Sequence, residues 1–125
     1  MADADAFLSK SLESLASAED DLASARYNAC ARNAYYAAFQ AAVVALMAEG
    51  ISPRRRWEHE FVQAEFQGRL VYRRKLYPVR LRRALSEAYH ARSVADYTER
   101  READKLVSMA RALVTLVEER LRGGS

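Results

Sequence analysis

An all-α, up-down helical bundle of four to five helices, forming a single domain over residues 1–125, is what the sequence predicts. Composition is the first reason. Only four glycines and two prolines occur in 125 residues, too few turn formers for a chain of many short strands. Alanine, leucine, glutamate and arginine dominate, and all four favour helix. Periodicity is the second reason, because apolar residues recur every three or four positions in several stretches. The third is the shortness of the connections, which makes successive helices antiparallel neighbours.

The first helix is expected over residues 4–23. Asp3 and Asp5 cap it and complement its positive end, and Phe7, Leu8, Leu12, Leu15 and Leu22 recur at helical spacing. The second covers 25–48 and stops at Gly50, a helix-ending signal. "GISPRRR" is a linker, and the third helix covers 57–71. "RRKLYP" breaks the pattern, and Pro78 opens a fourth helix at its first position, running to about residue 95. "ADYTER" turns the chain, with Thr98 as candidate N-cap and Arg101 where a capping box would place an acid. The fifth helix covers 100–122, with Leu106, Met109, Ala110, Leu113, Leu116, Val117 and Leu121 on one stripe. "GGS" is a frayed tail. The second helix is the least polar, which makes it the central one.

The net charge of +3 conceals an asymmetry. Residues 52–83 hold ten Lys/Arg against three acids, a local +7, and the remainder is −4. An excess of that size is an electrostatic footprint for an anionic partner, the competing reading being a solvated helix surface. No apolar run is long enough to span a membrane. The N-terminus lacks the apolar stretch of a signal peptide. With one cysteine, Cys30, no intrachain disulfide is available, and a core position in a reducing, cytoplasmic setting is expected. One cysteine and two distant histidines make no metal site. No glycine-rich phosphate loop or nucleophile elbow occurs, and no cofactor is implied.

The stretch "CARNAYYAAFQAA", residues 30–42, carries two patterns. Ala31, Ala34, Tyr35, Ala38, Ala42 and Ala45 make a small-residue face that admits neighbouring helices, with Tyr35 and Phe39 able to stack at four-residue spacing. A polar stripe, Asn28, Arg32, Tyr36 and Gln40, runs beside it. On so apolar a helix it needs solvent, hydrogen-bond partners or a ligand.

These residues carry a resemblance. "ARNAYYAAFQAAVVALMAEGI", "RWEHEFVQAEF" and "RKLYPVRLRRALSEAYHARSVADY" together resemble the small prokaryotic HEPN domains, over nearly the whole chain. The matching features are the tyrosine pair Tyr35–Tyr36, His59 at the start of the third helix, and Arg92 followed by Ala95, Asp96 and Tyr97. The resemblance implies a four- or five-helix bundle, often a homodimer. Many relatives are metal-independent ribonucleases, and many pair as toxin with a minimal nucleotidyltransferase as antitoxin. In the ribonucleases an Arg-x4–6-His motif from two subunits meets at the dimer interface. Here no histidine follows Arg92 at that distance, and Asp96 and Tyr97 stand there instead. Literal matches occur at Arg54–His59 and Arg83–His90.

Cleaving RNA without a metal requires a base for the 2′-OH, an acid for the leaving oxygen and positive charge on the phosphate. Histidine and arginine suit those tasks. The candidate catalytic residues are therefore Arg92, His59, Asp96 and Tyr97, with an Arg92–Asp96 ion pair as the competing structural reading. Arg54, Arg55, Arg56, Arg73, Arg74 and Lys75 are the candidate nucleic-acid contacts, expected to line one groove with His59 and Arg92. Asn28, Arg32 and Tyr36 are the candidate site residues of the polar stripe, and Arg32, Tyr36 and Arg92 are the candidates for nucleotide contact. Trp57 is either a base-stacking platform or a core anchor. The expected function is RNA binding, with ribonuclease toxin activity implied by the resemblance. The alternative is a non-catalytic helical dimer that binds protein or nucleotide.

Overall fold

The computed structural model describes residues 2–93 and 98–123. Asp96, Tyr97 and the tail at 124–125 lie outside the described residues, as does any continuation of the fourth helix beyond 93. The described residues form five α-helices: α1 (Ala2–Ala23), α2 (Tyr27–Ala48), α3 (His59–Glu65), α4 (Ala84–Ser93) and α5 (Arg100–Gly123). The described residues include no strand. α3 continues directly into a π-helical segment, Phe66–Arg73, and a 3-10 turn, Val79–Leu81, precedes α4.

α2 is the axis of the bundle, and all the other helices pack against it. Its alanines at 31, 34, 37, 38, 41, 42 and 45 are all essentially buried, as are Val43, Val44 and Leu46. Methyl-sized side chains let neighbouring backbones come close, which is how one helix serves several partners. α1 lies antiparallel to α2, where the buried Ser11 hydroxyl donates to the carbonyl of Ala37 at 2.7 Å. Ala4, Leu8, Leu15 and Ala18 form the inner face of α1, and Leu12 is exposed. The expected apolar stripe of α1 is thus rotated. Ser11 takes a core position because its hydroxyl is satisfied by a backbone acceptor.

The α1–α2 connection is tight, whereas residues 49–58 form a long crossover. α5 runs in the same direction as α2: Cys30 meets the carbonyl of Ala103 at one end, and Glu49 meets Arg120 at the other. α3 and its π extension also run this way, from Tyr35 (bound by His59) toward Glu49 (bound by Arg74). Tyr35 and Glu49 are separated by roughly 20 Å along α2. Residues 49–58 must climb that distance, and an extended ten-residue segment reaches about 30 Å. α2 ends in a Schellman turn that launches this crossover. Gly50 has φ +76°, the Ile51 N–H donates to the carbonyl of Leu46 at 3.0 Å, and the Ile51 side chain is buried.

The third helix begins two residues later than the sequence suggests and lasts longer, because its second half widens into π register. The Arg74 N–H donates to the carbonyl of Arg69, and the Leu76 N–H to that of Leu70 at 2.8 Å. That wide ending holds Lys75 at φ +54°. The fourth helix also differs. Pro78 is extended, with ψ 146°, so it caps a 3-10 turn instead of occupying a first helical position, and regular helix starts at Ala84. The Gln63 side-chain amide donates to the carbonyl of Arg82 at 3.3 Å and ties that turn to α3.

Between α1 and α2, Asp21 is almost fully buried yet satisfied, accepting from Arg26 Nε at 2.9 Å and Asn33 Nδ2 at 2.8 Å. Ala25 completes this turn at φ +59°, a left-handed conformation that costs a residue with a Cβ about 1–2 kcal/mol. Glycine removes that cost but has more unfolded-state freedom to lose, about 0.4–1 kcal/mol. Ala25→Gly is therefore expected to stabilise the fold by about 0.5–1 kcal/mol, seen as a higher urea midpoint at unchanged m-value.

Candidate functional site

α2, α3 and α4 converge where their aromatic side chains meet. Tyr35 comes from the inner face of α2 and is 4% exposed. Its phenol oxygen lies 3.1 Å from His59 Nδ1, at the first residue of α3. Across from both is Tyr89 of α4, whose ring stacks on the imidazole with centroids 4.0 Å apart and planes 21° apart. Tyr89 also lies 5.6 Å from the Tyr35 ring. Tyr36 makes an edge contact with Tyr35 at 5.5 Å, and Phe39 packs behind at 5.8 Å.

Arg92 reaches into this set of rings from α4. Its guanidinium carbon lies 5.2 Å from the Tyr35 centroid, 5.4 Å from Tyr36 and 6.0 Å from Tyr89. Tyr89 and Arg92 are three apart on one helix and so share a face. A cation held over ring faces gains about 0.5–2 kcal/mol, more as water is removed. Among the described residues Arg92 forms no ion pair, and aromatic faces orient its charge; Asp96, its expected ion-pair partner, lies outside the described residues.

The titratable groups respond to this setting. Burial pushes the Tyr35 phenol up to about 12, with the Arg92 charge opposing only in part. Burial holds the His59 imidazole below its ordinary 6.5; Glu60 works against that shift and Arg92 adds to it. At neutral pH the pair is thus an uncharged phenol and an uncharged imidazole sharing one hydrogen bond, with Nδ1 engaged by Tyr35. An uncharged imidazole next to a guanidinium offers a proton acceptor and an anion ligand side by side.

The structure brings together only part of what the sequence pointed to. His59, Tyr36 and Arg92 meet. Tyr89, which sequence reasoning missed, completes the cluster, and its three-residue spacing from Arg92 was the signal. Within one protomer the basic residues expected to line one groove fall into two separate groups. Arg54, Arg55 and Arg56 are exposed on the crossover, around a crevice of about 490 Å³ shared with Glu58 and Phe61, and Arg56 pairs with Glu58 at 2.9 Å. Arg73, Arg74 and Lys75 lie at the far end of α2, where Arg74 pairs with Glu49 at 3.1 Å. The length of the third helical segment separates the two groups of cations.

The polar stripe of α2 also divides. Asn28 Oδ1 accepts the Thr98 N–H at 3.1 Å, and Gln40 accepts from Ser14 at 3.3 Å. Arg32 is exposed, and Tyr36 turns to Arg92. Trp57 is half-buried against the core with an edge contact to Phe61. His90 lines a crevice of about 340 Å³ against α5, with Glu87, Glu102 and Lys105. It neighbours Tyr89 in sequence, so it points to a different side of α4. Cys30 is fully buried, and burial raises its thiol to about 11. Among the described residues no helix is long and apolar enough to cross a membrane, and no three metal-ligating side chains come together.

The HEPN domain family model matches residues 4–120. No curated protein and no solved structure matches the chain.

His59 should titrate below 6.5 when its ring protons are followed by NMR, and Arg92→Gln should raise that value by removing a like charge. Linkage fixes the sign for stability. The unfolded imidazole takes up protons near 6.5 while the folded one still resists, so acid favours unfolding. The His59 contribution is complete above about 6.5 and is lost as pH falls through the folded value. His59→Asn should flatten that part of the stability profile.

Proposed function

The chain belongs to the HEPN domain family, and from that premise we propose that it is an RNA-binding protein whose site is the Arg92 cluster, competent for strand cleavage without a metal. The observation that carries the proposal is the guanidinium of Arg92 held over three tyrosine rings beside an uncharged imidazole. Arginine matches phosphate oxygens with its planar fork. Tyr36 and Tyr89 are 39% and 41% exposed and offer faces on which unpaired bases stack. In this reading Arg92 holds the scissile phosphate, and His59 takes the 2′-OH proton at Nε2 while its Nδ1–H donates to the Tyr35 oxygen. The 2′ oxygen displaces the 5′ oxygen from phosphorus, water protonates that leaving oxygen, and Arg54–Arg56 on the nearby crossover hold flanking phosphates. The partners that follow are a second copy of the chain and, for a toxin role, a minimal nucleotidyltransferase antitoxin.

A second reading is favoured by the position of His90. Cleavage by two imidazoles needs a second ring at the site, and within one protomer His90 is turned toward α5. A monomer would then bind RNA or nucleotide without cutting it, and a homodimer joining two Arg92 clusters would supply the missing ring.

Binding and cleavage separate the two. In fluorescence anisotropy with single-stranded RNA, Arg92→Ala is expected to weaken binding about ten-fold and lower the salt slope by about one. His59→Ala should leave affinity within a few-fold and abolish cleavage in EDTA. RNA affinity unchanged by Arg92→Ala removes the cluster from the function. Binding without cleavage, at protein concentrations where the dimer forms, leaves the non-catalytic module. Co-purification with an adjacent nucleotidyltransferase tests the toxin–antitoxin role.

A further inference from the structure

The crevice on the crossover contains one group that phosphate binding does not explain. It is bounded by Pro53, Arg54, Arg55, Arg56, Glu58 and Phe61, with a volume of about 490 Å³, a size that suits a small planar ligand. Pro53 and Phe61 are half-buried and supply flat apolar walls, and the four charged residues are exposed. Among the described residues Arg54 and Arg55 form no ion pair. Arg56 donates from Nε to Glu58 Oε1 at 2.9 Å, and among the described residues no other side-chain bond engages either group. Their side chains are 81% and 58% exposed, so the pair adds little to stability. Glu58 precedes α3 in extended conformation and makes no side-chain cap bond. A lone carboxylate among three arginines leaves the crevice cationic, yet it sets a hydrogen-bond acceptor where a strand of phosphates needs donors only.

We propose that this crevice reads one base of the RNA held at Arg92 and selects guanine, with Glu58 as the specificity-determining residue; the inference rests on the RNA-binding reading and adds its sequence preference. Unpaired bases are recognised by stacking on aromatic side chains and by hydrogen bonds along their Watson–Crick edges. Guanine is the one common base with two adjacent N–H donors on that edge, N1–H and N2–H, and its O6 acceptor lies beside them. A carboxylate has two oxygens to accept both donors, and the terminal nitrogens of Arg56 can donate to O6. Uracil offers one N–H between two carbonyl oxygens, which a carboxylate repels. Adenine and cytosine each offer one amino group beside an acceptor nitrogen. Phe61 gives the base a ring to stack on, and Arg54 and Arg55 keep the adjoining phosphates. Glu58 and His59 are consecutive, with Cα atoms about 3.8 Å apart, so the base in the crevice belongs to a nucleotide next to the phosphate at Arg92. Phe61 and His59, two apart on α3, face different sides, and the strand bends round the start of that helix between them.

The test uses oligouridine strands carrying one central guanine, adenine, cytosine or inosine, titrated on the intact chain by fluorescence anisotropy. Guanine should tighten binding about ten-fold over uridine. Inosine keeps N1–H and lacks the N2 amino group, so it should retain a preference of about three-fold or less. Glu58→Gln, which replaces one acceptor by a donor, should abolish the guanine preference while holding affinity for oligouridine within about two-fold. An unchanged thermal melt confirms that this exposed substitution folds. Equal affinity for all the strands, a preference for another base, or a guanine preference that survives both inosine and Glu58→Gln overturns the subsite, and leaves RNA binding at Arg92 standing. If no strand binds, it is the Arg92 reading that fails, and guanosine monophosphate then judges the crevice by NMR. Shifts of the Arg55, Glu58 and Phe61 amide signals that vanish in Glu58→Gln support it, and their absence overturns it.

Discussion

The alanine surface of α2 is the constraint on which the rest of the molecule depends. Seven buried alanines leave room for backbones of several helices to approach one axis, and van der Waals contact over that surface takes the place of large interlocking side chains. A larger residue at any of these positions would push a neighbour outward, at a typical cost of about 1–3 kcal/mol. Tyr35 is the exception on this face, and it is tolerated because the chain surrounds it with other rings and gives its hydroxyl a partner in His59. The tightest part of the core and the candidate site are thus continuous, since the same tyrosine belongs to both.

That continuity explains the electrostatics. A guanidinium in water would be screened and mobile. Over three rings it is oriented, and a neighbouring imidazole is kept uncharged by burial first and by the arginine second. The arrangement resists protonation and holds a guanidinium over aromatic faces, a combination that suits recognition of a phosphate.

Much of the fold was legible because it is written in periodicity. The small-residue face of α2, the stop at Gly50 and the stripe of α5 follow from spacing and from the freedom of glycine to adopt φ +76°. The rest depended on long-range partners. Leu12 looked like core, yet Ser11 took the inward place because Ala37 offered an acceptor. The third helix looked regular, yet its second half adopts π register, which no apolar spacing announces. Within the site, His59 and Arg92 were visible as residue types suited to phosphate chemistry. Tyr89 shares a face with Arg92 by spacing alone, but its role exists only where its ring meets His59 at the start of α3. The basic residues were read as one groove because sequence gives a charge count and not a position, and a helix of roughly 20 Å separates Arg54–Arg56 from Arg73–Lys75.

Cys30 extends the argument to the motions of the bundle. Its sulfur is sealed between α2 and α5, against the carbonyl of Ala103, and its thiol stays protonated far above neutrality. Alkylating reagents attack the thiolate, so labelling must wait until those two helices part. Because the chain holds one sulfhydryl, the speed at which it is modified is a clock for opening of the central packing, readable by mass without any probe being added.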